Sequence, residues 1–161
     1  MRRACAWCGK NLGNADDVGP VTHGICGPCA QKVCAEATCP LRTFLDALEA
    51  PVLLLDSDGR VGTANAAARR SLGKAPESVD ALLAGEVFEC IHAFEPGGCG
   101  GTSHCNGCAL RRAINDTWRT GHGHERVRAV LTRRGDGDFQ VVVTTEKVGE
   151  AVLLRIDALA G

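Results

Sequence analysis

The spacing of apolar residues changes near position 41 of the chain. Residues 1–40 contain no periodic apolar stretch long enough to build a core. Apolar side chains then recur at helical spacing at Leu41, Phe44, Leu45 and Leu48. Pro51 ends this pattern. We therefore predict a cysteine-rich segment over residues 1–40, a linker helix over 41–50 and a larger domain over 51–161.

The larger domain contains short apolar runs separated by turn residues, which is typical of strands. Two such runs flank Asp56–Gly59 and predict a hairpin. Asn65 can cap a helix that stops at Gly73, and Ala109–Thr120 has the pattern of an amphipathic helix. Three more strands are predicted over 125–132, 138–145 and 151–156. This order predicts an α+β fold with one antiparallel sheet and flanking helices.

Composition and charge narrow the class of protein. The 161 residues are 45% hydrophobic and 23% charged, so the chain can bury a core. Eighteen basic and nineteen acidic residues give a net charge of −1 without a basic tail, and we expect no nucleic-acid partner. No run of about eighteen apolar residues predicts a membrane span. Met1-Arg2-Arg3 is not followed by the apolar region of a signal peptide, so we expect a cytoplasmic protein.

Ten cysteines in a cytoplasmic chain indicate metal ligation rather than structural disulfides. Two C-x2-C pairs in the first segment supply Cys5, Cys8, Cys26 and Cys29. Two such turns can direct four thiolates to one tetrahedral zinc ion, with His23 as an alternative ligand. Cys26-Gly27-Pro28-Cys29 also matches a thioredoxin-like redox motif, although no βαβ pattern surrounds it. Cys34 and Cys39 are left outside the quartet.

A second quartet lies within the larger domain, in a glycine-rich loop over residues 90–108. It consists of Cys90, Cys99, Cys105 and Cys108. His92 and His104 lie among them as alternative ligands. We predict a zinc site, with an iron–sulfur cluster or metal-free thiols as alternatives, because zinc and iron–sulfur centres both accept four thiolates. The last cysteine pair leads directly into the helix at Ala109, whose free N–H groups favour thiolates.

Residues 51–159 resemble a PAS domain, in particular a cysteine-rich bacterial one. The resemblance is carried by Pro51-Val52-Leu53-Leu54-Leu55-Asp56, Asp58-Gly59-Arg60-Val61, Asn65-Ala66-Ala67-Ala68 and Gly73. It implies a five-stranded antiparallel sheet cupping a cavity under helices, and a role in sensing or dimerisation. The first segment is similar to a zinc-knuckle-like element found beside bacterial PAS and histidine-kinase modules, through Thr22-His23-Gly24-Ile25-Cys26.

These patterns predict a bacterial signal-transduction sensor that responds to redox state or metal, and not an enzyme. No nucleophile elbow, phosphate-binding loop or H-E-x-x-H motif is present in the sequence. The resemblance implies a homodimer or a signalling partner. The alternatives are a zinc-stapled interaction module, a thiol oxidoreductase using Cys26 and Cys29, and a DNA-binding zinc-ribbon regulator. The basic pairs Arg111-Arg112 and Arg133-Arg134 are interpreted as solvated surface.

Overall fold

The structure is a computed structural model that describes residues 2–6, 8–13, 21–24, 26, 28–29, 41–75 and 78–160. Its contacts divide the chain into two compact units, Met1–Thr43 and Phe44–Gly161. Across the described ranges, no helix is both long and apolar enough to cross a bilayer.

The N-terminal unit contains a small three-stranded sheet. Its strands are β1 (Arg2–Cys5), β2 (Asn11–Gly13) and β3 (Val21–Gly24), in the order β2-β1-β3. The central strand β1 runs antiparallel to β2 and parallel to β3. Among the described residues of this unit, the buried cluster consists of Cys5, Cys26 and Cys29 with Leu12 packed against them. Domains with so small a core generally need an additional staple.

The larger unit is built on a five-stranded antiparallel sheet. Its strands are β4 (Val52–Leu55), β5 (Val61–Ala64), β6 (His124–Arg133), β7 (Gly137–Val148) and β8 (Ala151–Ala160). The spatial order is β5-β4-β8-β7-β6, and each neighbouring pair is antiparallel. This confirms the predicted α+β arrangement. The last three strands extend beyond their predicted bounds.

Six helices in the described part of the chain accompany the sheet. They are α1 (residues 41–46), α2 (Ala66–Leu72), α3 (Ala84–Val87), α4 (Ala109–Thr120) and the 3-10 helices Ile91–Phe94 and Ser103–Gly107. Of these, α2, α3, α4 and the 3-10 helix Ile91–Phe94 contribute residues to one buried cluster with the sheet. Leu53 and Leu154 of the sheet belong to the same cluster as Phe88, Leu110 and Ile114. The strands alternate buried and exposed side chains over part of their length, which places the core on one face of the sheet.

The predicted linker helix is shorter than its apolar pattern. The helix ends at residue 46, and the next residues form a turn in which the Leu48 N–H bonds the Leu45 carbonyl at 3.1 Å. The carbonyls of Leu45 and Ala50 accept hydrogen bonds from Asn65 Nδ2, at 3.0 and 2.8 Å. These hydrogen bonds hold the turn that follows the helix. Leu45 is buried, whereas Phe44 is 63% exposed.

Candidate metal centres

The first cysteine quartet lies where the strands of the small sheet end. Cys5 is the last residue of β1, and Cys26 follows β3 by two residues. Because β1 and β3 run parallel, both chains leave the sheet at the same edge. Cys8 then lies in a tight turn in which the Gly9 N–H bonds the Cys5 carbonyl at 2.9 Å. Gly9 has a φ of +72°, a conformation that glycine adopts without steric cost.

The four sulfurs of this quartet are gathered at one point. The Sγ atoms of Cys5, Cys8, Cys26 and Cys29 all lie within 4.8 Å of one another. The sulfurs of Cys8 and Cys26 are 3.7 Å apart, and the Cys26 N–H donates to Cys5 Sγ at 3.4 Å. A Zn–S bond of about 2.3 Å sets tetrahedral sulfur–sulfur distances of about 3.8 Å. The first quartet therefore has the dimensions of a single-ion site.

The protonation of these thiols also depends on their crowding. A hydrogen bond with Cys26, followed by burial and the other thiols, raises the pKa of Cys29 to about 12. Four thiolates at these distances repel one another, so they ionise together only when a cation neutralises them. The donor set fits zinc on this ground. The His23 side chain, Cys34 and Cys39 lie outside the described residues.

The second quartet surrounds a cavity instead of converging on one point. Cys90 is buried at the N-terminal end of the loop, and Cys108 is the residue that precedes α4. Although all four cysteines are described, no three of their sulfurs come within 4.8 Å of one another. Together with His92 and His104 they line a cavity of about 190 Å³. The structure thus brings the predicted residues to one cavity but not to single-ion distance.

Two of these thiols lie in different electrostatic surroundings. Burial raises the pKa of Cys99. At Cys105 burial also acts to raise the pKa, but hydrogen bonds from Thr102 and Gly100 and the charge of Arg111 together lower it. The Gly100 N–H lies 3.1 Å from Cys105 Sγ, and Thr102 Oγ1 lies 3.2 Å from the same sulfur. The surroundings of Cys105 therefore stabilise the thiolate form of its sulfur.

Arg111 contributes a buried positive charge to the same cavity. It lies in the first turn of α4 and lines the cavity with the cysteines. Its Nε and Nη1 atoms are buried and have no hydrogen-bond partner among the described residues. The interpretation of Arg111 as solvated surface is therefore wrong, because its guanidinium points inward. A buried cation without a partner indicates that the cavity favours an anionic group.

The other three arginines predicted to be solvated surface differ from one another in exposure. Arg112 and Arg134 are exposed, as predicted. Arg133, however, donates from Nε to the Phe88 carbonyl at 3.1 Å, and its guanidinium carbon lies 3.9 Å from the centre of the Phe139 ring. Arg133 thus fastens the end of β6 to the residues that precede the cysteine loop.

His92, Glu95 and His104 form a second polar group at the cavity. Their ligand atoms lie within 4.8 Å of one another. His92 Nδ1 is 2.8 Å from Glu95 Oε1, and the two imidazole rings are stacked with centres 3.9 Å apart and an interplanar angle of 11°. A carboxylate on Nδ1 leaves Nε2 of His92 as the free ring nitrogen.

Three residues of this region were not predicted from the sequence: Arg111 and Gly85, which line the cavity, and Glu95, which contacts His92. Arg111 could have been found, because a residue three positions after Cys108 lies on the same side of a helix start. Glu95 could have been noticed at three-residue spacing from His92 in a turn. Gly85 could not, since its role depends on a tertiary contact: a Cβ atom there would lie 2.7 Å from Cys99 Sγ.

Comparisons with known proteins agree with the fold. No protein-family model matches this sequence, and the search of curated proteins finds no match. Among solved structures, the chain is similar to a domain of the sensory box sensor histidine kinase/response regulator from Geobacter sulfurreducens. The identity is 13% and the TM-score 0.50, over 78% of this chain and 96% of that chain.

Two further solved structures are similar to this chain. The LOV protein of Rhodobacter sphaeroides has 15% identity and a TM-score of 0.52, over 76% of this chain and 66% of that chain. The PAS domain of nitrogen regulation protein NR(II) from Vibrio parahaemolyticus has 16% identity and a TM-score of 0.48, over 71% of this chain and 94% of that chain. The larger unit has the PAS-like α+β fold that the sequence predicts.

Proposed function

We propose that this chain is a bacterial signal-transduction sensor module in which a thiolate metal centre in the 90–108 loop controls the position of α4. In this proposal the N-terminal quartet binds one structural zinc ion, and the protein works in the cytoplasm as a homodimer or with a signalling partner. It has no catalytic role. The observation that carries the proposal is the attachment of the cysteine cavity to α4 through Cys108 and Arg111.

The route from the cavity to the sheet runs through α4. Leu110 and Ile114 of this helix are buried in the core. Farther along α4, the hydroxyl of Thr117 lies 2.7 Å from the hydroxyl of Thr145 on β7, and both residues are buried. A change in metal occupancy at the loop, caused by metal supply or by thiol oxidation, would move the start of α4. The helix would pass this change to β7 and then to the protein's partner.

Several observations support sensing over the other candidate functions. The similar structures include a domain of a sensor histidine kinase/response regulator and a LOV protein, and this chain shares their fold. The four thiols of the N-terminal quartet lie together as one group, which favours metal binding over a dithiol active site of Cys26 and Cys29. The balanced charge disfavours a DNA-binding regulator.

Amide hydrogen exchange of the full chain, with metal bound and after chelation, tests this proposal. We expect metal removal to increase exchange over residues 90–120 and at β7, because α4 loses its anchored start. Cys105→Ser should show this faster exchange without chelator. Cys8→Ser is the matched control, which loses the N-terminal ion but keeps the response of α4 to metal.

Two results would contradict sensing at the loop. If Cys105→Ser retains the full metal content of the wild type, the loop is not a metal centre. If metal leaves the loop and exchange in α4 does not change, occupancy is not transmitted. Simple unfolding of the whole larger unit on chelation would instead favour the zinc-stapled interaction module.

A further inference from the structure

The two cysteine quartets differ in size, and we propose that the loop quartet binds an iron–sulfur cluster, whereas the N-terminal quartet binds a single ion. This inference rests on the proposed function, because it names the chemical class of the centre assigned to the loop. Its four ligands are Cys90, Cys99, Cys105 and Cys108.

The dimensions of the two quartets separate single-ion from cluster chemistry. A single zinc ion needs all four sulfurs about 3.8 Å apart; in the N-terminal quartet the sulfurs of Cys8 and Cys26 are 3.7 Å apart and all four lie within 4.8 Å of one another. In the loop no three sulfurs lie within 4.8 Å of one another, and the four cysteines are among the residues that line a cavity of about 190 Å³. This volume is several times the roughly 30 Å³ that one water molecule occupies. A cluster fills such a space because its iron and sulfide atoms hold the four thiolates apart.

The cavity walls are anchored in this open arrangement. Cys99 packs against α3 so closely that a Cβ atom on Gly85 would lie 2.7 Å from its sulfur and 3.1 Å from its Cβ atom. Cys90 is 9% exposed, and its N–H bonds the Gly85 carbonyl at 2.8 Å. On the opposite side, Cys105 Sγ is held by the Gly100 N–H. Contraction of the sulfurs onto one ion would have to move Cys99 away from α3 and Cys105 Sγ away from the Gly100 N–H.

The charge of the cavity agrees with an anionic thiolate centre. Four thiolates around a cluster core of charge 2+ carry a net charge of −2, and Arg111 presents two buried nitrogens without partners among the described residues. A zinc ion with four thiolates has the same net charge. Arg111 therefore supports an anionic centre in the loop. The spacing of the sulfurs then distinguishes an iron–sulfur cluster from a single zinc ion.

The histidines do not provide a better single-ion site. The lone pairs of imidazole lie in the ring plane, and the rings of His92 and His104 are nearly parallel, at 11°, with centres 3.9 Å apart. Lone pairs in two stacked planes do not converge on one ion. Glu95 Oε1 pairs with Nδ1 of His92 at 2.8 Å. The contacts among His92, Glu95 and His104 therefore account for their proximity without a bound ion.

Elemental analysis of the full chain, purified without oxygen, tests this inference. We expect about one zinc per chain together with iron and acid-labile sulfide in equal amounts, and a brown solution with broad visible charge-transfer absorption. Two zinc ions per chain without sulfide would overturn the inference. That result would leave the proposed function standing, because its test depends on the exchange response of α4 to whichever metal is bound.

Matched variants assign each centre to its quartet. Cys105→Ser should lose iron, sulfide and colour and keep one zinc, whereas Cys8→Ser should lose zinc and keep iron, sulfide and colour. Loss of zinc from Cys105→Ser with iron unchanged would refute the assignment. Circular dichroism of both variants verifies that the sheet has formed.

Arg111 offers an independent test that does not remove a ligand. Arg111→Met should release iron to a chelator several-fold faster than the wild type, because the cluster loses its buried counter-charge, and Arg111→Lys should be intermediate. Arg112→Met, at the exposed neighbouring position, is the control. Equal release rates for Arg111→Met and the wild type would contradict the anionic centre.

Discussion

At the scale of single residues, Asn65 organises the N-terminal part of the larger unit. Its side chain is 1% exposed. Oδ1 accepts hydrogen bonds from the N–H groups of Ala68 at 2.8 Å and Val52 at 3.0 Å. Nδ2 donates to the carbonyls of Leu45 and Ala50. One amide thus caps α2, pairs with β4 and fixes the turn after α1, so its removal leaves several buried polar groups without partners.

We expect Asn65→Ala to lower the free energy of unfolding by about 3 kcal/mol, from the lost cap and the unsatisfied backbone groups. Urea denaturation with metal content held constant measures this change. Asn115→Ala, at an exposed position in α4, is the control and should change stability by less than about 0.5 kcal/mol. Equal stability of the two variants would contradict the role assigned to Asn65.

A second residue-scale prediction concerns Gly85, whose missing side chain makes room for Cys99. A Cβ atom at Gly85 would lie 2.7 Å from Cys99 Sγ and 3.2 Å from the Ala93 Cβ atom. We expect Gly85→Ala to displace Cys99, to remove most of the metal from the loop and to cost about 1–3 kcal/mol through overpacking. Metal analysis and denaturation measure the two effects.

The control for Gly85→Ala is Gly62→Ala. A Cβ atom at Gly62 meets only the Leu54 carbonyl oxygen, at an ordinary contact distance of 3.8 Å. This variant should keep the metal of both sites. If Gly85→Ala also keeps its loop metal, Cys99 is not held at the position that the close contact defines.

At the scale of elements, α4 connects the cysteine loop to the sheet. Its first residue follows Cys108, its middle is buried in the core and Thr117 meets β7. The helix then ends at Gly121, and the chain returns as β6, where His124 Nε2 lies 2.8 Å from Asp116 Oδ2. The helix is therefore tied to the sheet by polar contacts near its C-terminal end.

The Asp116 contact makes part of the stability of this element depend on pH. The hydrogen bond from His124 and the contacts with Arg119 lower the pKa of Asp116, although partial burial opposes this. Because the folded-state pKa lies below the unfolded-state value, the stabilisation is complete above the ordinary aspartate range. It is lost as the pH falls through the lowered pKa.

We expect Asp116→Asn to lose less stability than the wild type as the pH falls below the ordinary aspartate range. Thermal unfolding over a pH series measures the difference between the two proteins. Asp136→Asn, in the exposed turn between β6 and β7, is the control and should follow the wild-type profile. An unchanged acid profile for Asp116→Asn would show that the contact with His124 does not stabilise the fold.

At the scale of the whole molecule, local signals in the sequence predicted the order of elements well. Helix α4 spans the predicted Ala109–Thr120, and Asn65 and Gly73 cap α2 as predicted. Strand ends were predicted less well, since the β7–β8 ladder continues through polar residues: Glu146 and Lys147 pair with Leu153 and Val152. Backbone hydrogen bonds extend a strand where the apolar alternation no longer marks it.

The candidate sites show the same difference between features that local sequence predicts and features that depend on tertiary contacts. Spacing predicted that the four cysteines of the N-terminal quartet lie together, and their sulfurs do lie within 4.8 Å of one another. Spacing also identified the four loop cysteines, but it contained no information about the distance between them. That distance depends on tertiary contacts, such as the approach of Cys99 to Gly85 and the inward side chain of Arg111.

The position of β8 in the sheet has a consequence for how the protein is made. β8 lies between β4 and β7, so the centre of the five-stranded sheet is its last strand in the chain. β4 can pair with β8 only after about a hundred more residues have been synthesised, and such non-local pairing is slow. The small sheet needs only the first part of the chain, and domains that emerge first fold first. The N-terminal cysteine quartet can therefore assemble on the ribosome before the five-stranded sheet exists.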